Sequence, residues 1–238
     1  MDVTGDGAGV AAERVGKAFG RSARPVLRDV ELRVRRGGSA AVIGPAGSGK
    51  TVLLRCLSGA ERPSRGSVRI GAVDLGGLDE RARGEFRRDR IGVLSPDGDL
   101  APELPVRDNV LLPLDLAGRR ADPELLAEAL DRMAVRDLLD RRPHRLGRAD
   151  RLRVALVREL VRLPEVLLVD EPVLLLDAVT GRHLLRLLDR CGRAFGLAVV
   201  LFSRTAATSV YADQVLALRD GRAVPQRGSA VQEQARIA

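Results

Sequence analysis

The eight residues GPAGSGKT constrain the fold of this chain more than any other segment. They match the pattern G-x-x-x-x-G-K-[ST], follow the apolar stretch SAAVIG (39–44), and lead into the helix-like stretch TVLLRCLSGA (51–60). A glycine-rich loop between a strand and a helix curls so that its backbone N–H groups and the positive end of the helix converge where a phosphate can bind. The alternative interpretation is an ordinary glycine-rich turn. Such a turn does not need a preceding strand, a following helix and a lysine in the same pattern, so the presence of all three favours a phosphate-binding loop. The predicted nucleotide-binding residues are Gly44, Pro45, Ala46, Gly47, Ser48, Gly49, Lys50 and Thr51.

A second segment, VLLVDE, complements this loop. Lys50 is expected to reach the β and γ phosphates, and the Thr51 hydroxyl to be a ligand of Mg²⁺. Four apolar residues in VLLVDE predict a strand buried on both faces, and Asp170 at its carboxyl end is expected to hold Mg²⁺ through water. Glu171 is then beside the γ phosphate, where a carboxylate polarises an attacking water. Alone, an Asp-Glu pair is usually a solvated strand end; with the loop, it predicts ATP and Mg²⁺ as cofactors and Glu171 as the catalytic residue.

The order of strand-like and helix-like segments predicts an α/β fold. Strand patterns lie at 26–34, 39–44, 91–95, 165–171 and 197–202. From about Pro105 to Arg162 the pattern is helical only, with Asp122 as a predicted helix cap, and Asp220-Gly221 is predicted to turn a final hairpin. We expect a P-loop NTPase core with a mainly parallel sheet, an N-terminal antiparallel β segment and an inserted helical subdomain at about 105–162. All 238 residues are expected to form one domain.

The composition argues against a nucleic-acid-binding protein. The net charge of +8 suits nucleic-acid binding, but the basic residues are spread among the acidic ones rather than clustered. Apart from Lys17 and Lys50 they are all arginines, which indicates a compositional bias. Aromatic residues make up 2% of the chain, so there is no array of rings to stack on bases. No nucleic-acid partner is expected.

The cysteines and the N-terminal residues predict a cytoplasmic location. Cys56 and Cys191 are isolated and have no paired spacing that indicates zinc or redox chemistry. The segment MDVTGDGAGV lacks the basic and apolar regions of a signal peptide. No apolar run approaches the roughly 18 residues of a membrane helix, so any membrane role is expected to depend on a separate partner.

The order of the motifs resembles the ATP-binding subunits of ABC transporters over about residues 10–225. The segments FRRDRIGVL, VRDNVLLPL, DEPVLLLD and ALRDGRAV are most similar to the branch that energises lipoprotein-releasing and macrolide-exporting permeases. The resemblance implies a head-to-tail dimer, in which each ATP lies between the phosphate loop of one protomer and a signature turn of the other. It also implies two partners, a membrane permease and a second ATP-binding subunit, and a peripheral location at the inner face of the cell membrane.

The signature turn departs from the family pattern. The family has L-S-G-G-Q here, whereas this chain has LGRAD, which places Gly147, Arg148, Ala149 and Asp150 at the last four positions. The family serine donates to the γ phosphate of the partner's nucleotide, and Gly147 has no hydroxyl. Arg148 and Ala149 put side chains where the family has glycines, and Asp150 adds a negative charge. The Arg148 guanidinium retains the ability to contact phosphate with a different geometry.

Two further family positions also differ. Pro96 stands where the family has a glutamine that contacts Mg²⁺ and the attacking water, and proline offers no side-chain oxygen. Arg204, after Ser203, stands where the family has a histidine that touches the γ phosphate. An arginine can neutralise phosphate, but it has no acceptor atom to replace the histidine nitrogen.

Two more site residues follow from the resemblance. Phe19, on a turn before the first predicted strand, falls where the family places a ring under the adenine, although core packing explains a phenylalanine equally well. Asp177 keeps a family position in the loop that crosses the dimer interface, while the preceding VLLL (173–176) replaces a small polar stretch. His183 is expected on the surface of a helix.

The sequence therefore predicts an ATP-binding subunit of an ABC transporter with weakened hydrolysis, which either pairs with a second, intact ATP-binding chain or acts as a nucleotide-sensing brace for a permease; whether the dimer is homo- or heteromeric stays open. The loss of three positioned polar groups argues against the first alternative, a fully active homodimeric ATPase. A second alternative is an ABC-like soluble protein on nucleic acid or ribosomes, which usually carries tandem domains or coiled-coil insertions that this chain lacks. A P-loop kinase is a weaker option, because the sequence has no pattern for a lid or an acceptor site.

Overall fold

The computed structural model describes residues 7–20 and 25–224, and it confirms the α/β fold class. The strands are β1 (Ala8–Lys17), β2 (Leu27–Arg35), β3 (Ser39–Ile43), β4 (Arg65–Ile70), β5 (Val73–Asp74), β6 (Ile91–Leu94), β7 (Val166–Asp170), β8 (Ala198–Ser203), β9 (Gln214–Arg219) and β10 (Arg222–Val224). The α-helices are α1 (Lys50–Leu57), α2 (Glu80–Arg90), α3 (Val106–Leu116), α4 (Pro123–Met133), α5 (Arg148–Leu160) and α6 (Ala178–Ala194).

Four strands form the expected antiparallel sheet, in the order β2-β1-β4-β5. The sequence pattern did not predict β1, because a bulge interrupts its alternation. Pairing with β2 shifts register between Ala12 and Val15, and Arg14 has a φ of 47°. Phe19 therefore follows β1 and lies between two strands, which corrects the prediction that it precedes the first strand.

The second sheet has the order β10-β9-β3-β8-β7-β6 and is parallel except for β10. At the turn from β9 to β10, Asp220 and Gly221 have φ values of 47° and 75°, which confirms the predicted hairpin turn. In the register of the parallel strands, Ile43 of β3 pairs with Ser203 of β8. The carboxyl ends of β3, β8, β7 and β6 therefore follow one another along one edge of the sheet, and the segments after these strands meet there.

The predicted all-helical region contains α3, α4 and α5. The Asp122 carboxylate accepts the N–H groups of Glu124 and Leu125, which confirms it as a helix cap. Leu156 of α5 is fully buried in the same apolar cluster as Leu167 of β7, so these helices share a core with one face of the parallel sheet. The opposite face packs with α1 and the antiparallel sheet. Among residues 7–20 and 25–224, no helix has both the length and the apolar character needed to cross a bilayer.

Candidate nucleotide-binding site

The loop between β3 and α1 has the backbone that its glycines predict. Gly47 and Gly49 have φ values of +76° and +104°, a region that favours glycine. Gly44 has no space for a side chain, because a Cβ atom there would lie 2.3 Å from the carbonyl oxygen of Leu218. Gly49 caps α1 without a side-chain hydrogen bond, and the first N–H groups of a helix have no acceptor within it. Donors at the start of α1 therefore face the end of the loop.

A cleft of about 360 Å³ lies above this loop. Of the predicted nucleotide-binding residues, Ala46, Gly47, Gly49, Lys50 and Thr51 line it. The side chain of Ser48 is buried, and the Ser48 N–H donates to the Pro45 carbonyl at 3.3 Å, so Ser48 supports the loop. Val26 and Val52 also line the cleft. The sequence did not indicate these two residues, because a valine carries no signal for ligand binding.

Lys50 is a buried cation at the centre of the site. Its Nζ donates to the carbonyl oxygens of Gly44 at 2.6 Å and of Pro45 at 3.0 Å. Burial lowers the pKa of Lys50; the charge of Glu171 opposes this effect, Arg204 adds to it and Asp170 opposes it. The two carbonyls carry no formal charge, so the Lys50 ammonium is not paired with a carboxylate by a direct hydrogen bond and can bind an anion that enters the cleft.

Asp170 and Glu171 enter the same cleft from the end of β7. Burial and then the charge of Glu171 raise the pKa of Asp170, while Lys50 and Arg204 oppose the increase. Glu171 has a φ of 44°, an unfavourable conformation for a residue with a side chain, and its N–H donates to the Phe202 carbonyl at 2.8 Å. The pairing of β7 with β8 thus sets the position of Glu171.

Arg204 contacts both carboxylate oxygens of Glu171. Its Nε lies 3.3 Å from Oε1, and its backbone N–H donates to Oε2 at 3.1 Å. Since β8 lies between β3 and β7, the residue after β8 lies between the phosphate loop and Glu171. The sequence placed Arg204 near the nucleotide but did not predict its pairing with Glu171.

Arg148, in the signature turn, contacts the segment after β6. Its Nη2 donates to the Pro96 carbonyl at 2.8 Å, and its Nη1 lies 2.9 Å from a carboxylate oxygen of Asp97. The Arg148 side chain is 18% exposed, so its guanidinium is largely committed to its own chain. Two predicted departures from the family pattern, at Arg148 and Pro96, therefore lie in direct contact.

A second arginine holds the segment that follows β6. Arg158 of α5 donates from Nη2 to the Gly98 carbonyl at 2.9 Å and from Nη1 to the Asp99 carbonyl at 2.7 Å. Gly98 has a φ of +79°, and a Cβ atom there would lie 3.1 Å from the Arg151 carbonyl oxygen. We define the Arg148 and Arg158 side chains with residues 96–99 as the arginine clamp.

The rest of the signature turn begins α5. Gly147 is the helix cap, with φ and ψ of −63° and 162°, and among the described residues other than Gly147 and its two chain neighbours no atom lies within 4 Å of the position of a Cβ. A serine therefore fits at Gly147 without strain. Asp150 forms an ion pair with Arg153 within the helix, so its negative charge is partly compensated. Ala149 is half-buried.

Phe19 and Asp177 are not among the residues that line the cleft. Phe19 is 44% exposed, and Lys17 Nζ lies 5.0 Å from the centre of its ring. Asp177 caps α6, and hydrogen bonds from Thr180 and then Val179 hold the pKa of its carboxyl below the usual range. His183 is exposed on α6, as predicted.

Comparison with known proteins identifies relatives over most of the chain. Residues 27–174 match the family described as ABC transporter. A lipoprotein-releasing system ATP-binding protein, LolD 1 of Rhodospirillum rubrum, is 34% identical over 221 residues, which are 91% of this chain and 98% of the relative. A methionine import ATP-binding protein, MetN 2 of Burkholderia mallei, is 37% identical over 230 residues, which are 95% of this chain but 56% of the relative. The chain thus spans about half the length of the methionine import protein.

A solved structure agrees with the fold. The ATP-binding cassette MJ0796, determined as a dimer in a post-hydrolysis state with ADP and Pi, has a TM-score of 0.77 and 27% sequence identity, covering 92% of this chain and 99% of the cassette. The resemblance stated from the sequence is confirmed by the matched family and by the lipoprotein-releasing relative. The chain belongs to the ABC transporter family, as an ATP-binding subunit of that type.

Proposed function

We propose that this chain binds Mg-ATP between the phosphate loop and Asp170, hydrolyses it slowly, and acts with a second, non-identical ATP-binding chain to drive a separate membrane permease. The observation that carries the proposal is the contact of Arg148 with Pro96 and Asp97 of its own chain. In the family the signature turn contacts the partner's nucleotide. Here its one side chain with strong donors is engaged within its own chain.

The cleft has the groups that a magnesium-bound triphosphate requires. Lys50 supplies a buried cation, the start of α1 supplies N–H donors, and Thr51 and Asp170 supply the oxygen atoms that Mg²⁺ prefers. When bound, Mg²⁺ neutralises charge that develops on the phosphates. Phe19 is the candidate for stacking on the adenine, because its ring is exposed and Val26, seven residues later in the chain, lines the cleft.

Slow hydrolysis follows from how Glu171 and its neighbours are placed. As a general base, Glu171 must accept a proton from water, but both of its oxygens contact Arg204. Pro96 has no side-chain oxygen to orient the water, and Gly147 has no hydroxyl to donate to a partner's nucleotide. Each missing polar group typically costs about 100-fold in turnover. Together these losses argue for a subunit that holds ATP longer than it hydrolyses it.

A non-identical partner would supply what this chain lacks. In a head-to-tail pair, a serine-containing signature turn of the partner would face the phosphate loop of this chain, while the partner's nucleotide would face Gly147 and Arg148. Asp177 would lie in the loop that crosses the interface. Location at the inner face of the cell membrane, through a permease, is part of the same proposal and is in keeping with relatives named for lipoprotein release and methionine import.

Phosphate release from saturating Mg-ATP by the purified full chain tests the hydrolysis step. Lys50→Ala, run in parallel, measures contaminating ATPase. We expect turnover well below about 1 s⁻¹, the lower end of the usual enzyme range. Turnover near that value that disappears in Lys50→Ala would show that the arginines support an active homodimer and would refute the proposal.

Sedimentation of Glu171→Gln with Mg-ATP tests the need for a different partner. Blocking the base keeps ATP intact, so a self-complementary chain would dimerise. We expect a monomer for this variant. We expect a dimer after the turn is restored with Gly147→Ser, Arg148→Gly and Ala149→Gly. An ATP-dependent dimer without the restored turn would contradict the heterodimer proposal.

A further inference from the structure

We propose that a cleft on the outer face of the antiparallel sheet binds a phosphate monoester, through arginines on two strands that flank it. The cleft has a volume of about 330 Å³, and its charged lining residues are Arg33, Arg36, Arg69 and Glu13. Its other lining residues are glycines and alanines. Among the described residues, none lines both this cleft and the nucleotide cleft. The proposed site is therefore independent of the proposed binding of Mg-ATP.

The register of the sheet places two of these arginines on either side of an alanine. Ala11 of β1 pairs with Arg33 of β2 and with Arg69 of β4. The neighbours of Ala11 in β1, Val10 and Ala12, belong to the apolar core, so Ala11 and its two partners lie on the opposite, outer face. Because neighbouring strands are about 4.8 Å apart, the two arginine backbones are separated by roughly 10 Å, with the short side chain of Ala11 between them. The arginines thus form two walls of a gap that can hold an anion.

The guanidinium groups keep donors for a ligand. In the described part of the chain Arg33 forms no ion pair, whereas Arg69 pairs with Glu13. One carboxylate leaves several N–H donors of a guanidinium unused. Arg36, at the end of the cleft, lies 3.7 Å from a carboxylate oxygen of Glu165, and its side chain is 56% exposed. All three arginines can therefore donate to an anion in the cleft.

The charge of the cleft favours a phosphate over a carboxylate. Three arginines and one glutamate line it, so its formal charge is +2. Glu165, beyond Arg36, is balanced by Arg90 at 2.7 Å. A phosphate monoester carries a charge of about −1.5 to −2 near neutral pH, whereas a carboxylate carries a single negative charge. The tetrahedral oxygens of a phosphate point toward both walls, while a planar carboxylate suits one guanidinium.

Small residues leave room for the organic part of the ligand. The cleft is larger than one phosphate group, and its glycines and alanines have no long side chains that could fill it. At Gly71, a Cβ atom would lie 2.5 Å from a carboxylate oxygen of Glu165, so this end of the cleft does not accommodate a side chain. We therefore infer a phosphate on a short group such as glycerol. This chemistry is present both in free esters and in the headgroup of phosphatidic acid.

Calorimetric titration of glycerol 3-phosphate into the full chain with Lys50→Met tests the proposal, because this variant lacks the lysine of the phosphate loop. We expect one binding site. Arg33→Gln and Arg69→Gln should each weaken binding about tenfold, the usual loss for one charge-assisted hydrogen bond. Arg35→Gln is the matched control, because it removes the same charge from the same face of β2 at an exposed residue that does not line this cleft.

Two further variants distinguish a shaped cleft from a diffuse positive surface. Ala11→Leu fills the gap between the two arginines without changing the charge, so it should abolish binding. Glu13→Gln removes the competing carboxylate and should strengthen binding, a gain that misfolding cannot produce. Thermal unfolding of each variant checks that the fold is kept. Absence of binding to Lys50→Met, equal losses in Arg33→Gln and Arg35→Gln, or unchanged binding in Ala11→Leu would each overturn the proposal.

Sedimentation with phosphatidylcholine vesicles, with and without phosphatidic acid, distinguishes the two sources of the phosphate. Capture that requires phosphatidic acid and is lost in Ala11→Leu would support a lipid headgroup as the ligand. Binding of glycerol 3-phosphate without capture on vesicles would support a free ester.

Discussion

Arg148 at the start of α5 donates to the backbone carbonyl of Pro96 at 2.8 Å, and so joins the signature turn to the segment after β6. Pro96 has no backbone N–H and no polar side-chain atom, which leaves its carbonyl as the one polar group it offers. The contact connects two regions that are 52 residues apart in the chain. Movement of α5 relative to the sheet therefore has to carry this segment along or break the arginine clamp.

Arg148→Ala should loosen the arginine clamp. The variant loses a charge-assisted hydrogen bond and an ion pair to the exposed Asp97, so we expect unfolding free energy to fall by about 1–2 kcal/mol. Hydrogen exchange should accelerate at the Gly98 amide, which donates to Ser95. Arg145→Ala, at an exposed residue just before the signature turn, is the control. Unchanged exchange at Gly98 would mean that the clamp does not restrain this segment.

Gly147→Ser should fold normally, and together with Arg148→Gly and Ala149→Gly, which restore the dimer, it should raise phosphate release. The position has φ and ψ suited to a helix cap and open space around a Cβ, so stability should rise by a few tenths of a kcal/mol. Phosphate release should increase by about tenfold or more if the hydroxyl reaches the partner's nucleotide. Gly98→Ser is the contrasting control, because its φ of +79° should destabilise the fold. Normal folding without any gain in release would exclude the missing hydroxyl as a cause of slow hydrolysis.

Lys50→Met should lower ATP affinity and preserve stability, whereas Lys17→Met should lower stability and preserve ATP affinity. Lys50 is buried, so removing its charge relieves a desolvation cost and should preserve stability, while ATP affinity falls at least about 100-fold. Lys17 pairs with Glu61 at 2.6 Å and donates to the Arg62 carbonyl, so its loss should cost about 1 kcal/mol of stability and leave ATP affinity near the wild-type value. Thermal unfolding and calorimetric titration measure both properties. Retained binding in Lys50→Met would refute the phosphate-loop assignment.

Phe19→Ala should weaken ATP binding by about tenfold, the contribution of one base stacked on an aromatic ring. Binding of inorganic triphosphate should stay unchanged, because that ligand has no base. Stability should change little, since the ring is 44% exposed. An equal loss of affinity for both ligands would mean that Phe19 acts on the loop rather than on the adenine.

Asp213→Asn should destabilise the fold in a pH-dependent way. Burial raises the pKa of Asp213, but hydrogen bonds from Arg193 and Ser39 outweigh burial and hold the pKa below its usual range. A lowered folded pKa stabilises the protein above the unfolded value of about 3.9, and this contribution is lost as pH falls through the folded pKa. After discounting for exposure, we expect a loss of about 1 kcal/mol at pH 7 that shrinks below about pH 4 in urea titrations. Asp115→Asn on α3 is the control, and a loss independent of pH would contradict the assignment.

The local sequence pattern was sufficient to predict the features that depend on residues adjacent in the chain. The phosphate loop, the strand ending at Asp170, the Asp122 cap and the Asp220-Gly221 turn each depend on a few consecutive residues, and their positions were predicted because short-range geometry decides them. Strand β1 was missed because the bulge near Arg14 breaks the alternation on which a strand prediction depends.

Tertiary structure decided which of these side chains meet. The order β3-β8-β7 places Arg204 against Glu171, and the packing of α5 beside β6 places Arg148 against Pro96. Both pairs are distant in sequence, and an arginine side chain is long enough to reach several partners. The sequence predicted that Gly147 and Arg204 stand where the family has the signature serine and the γ-phosphate histidine. Only the fold determined that Arg148 and Arg204 contact their own chain, because the partner of a long, charged side chain depends on which acceptors the packed backbone places within its reach.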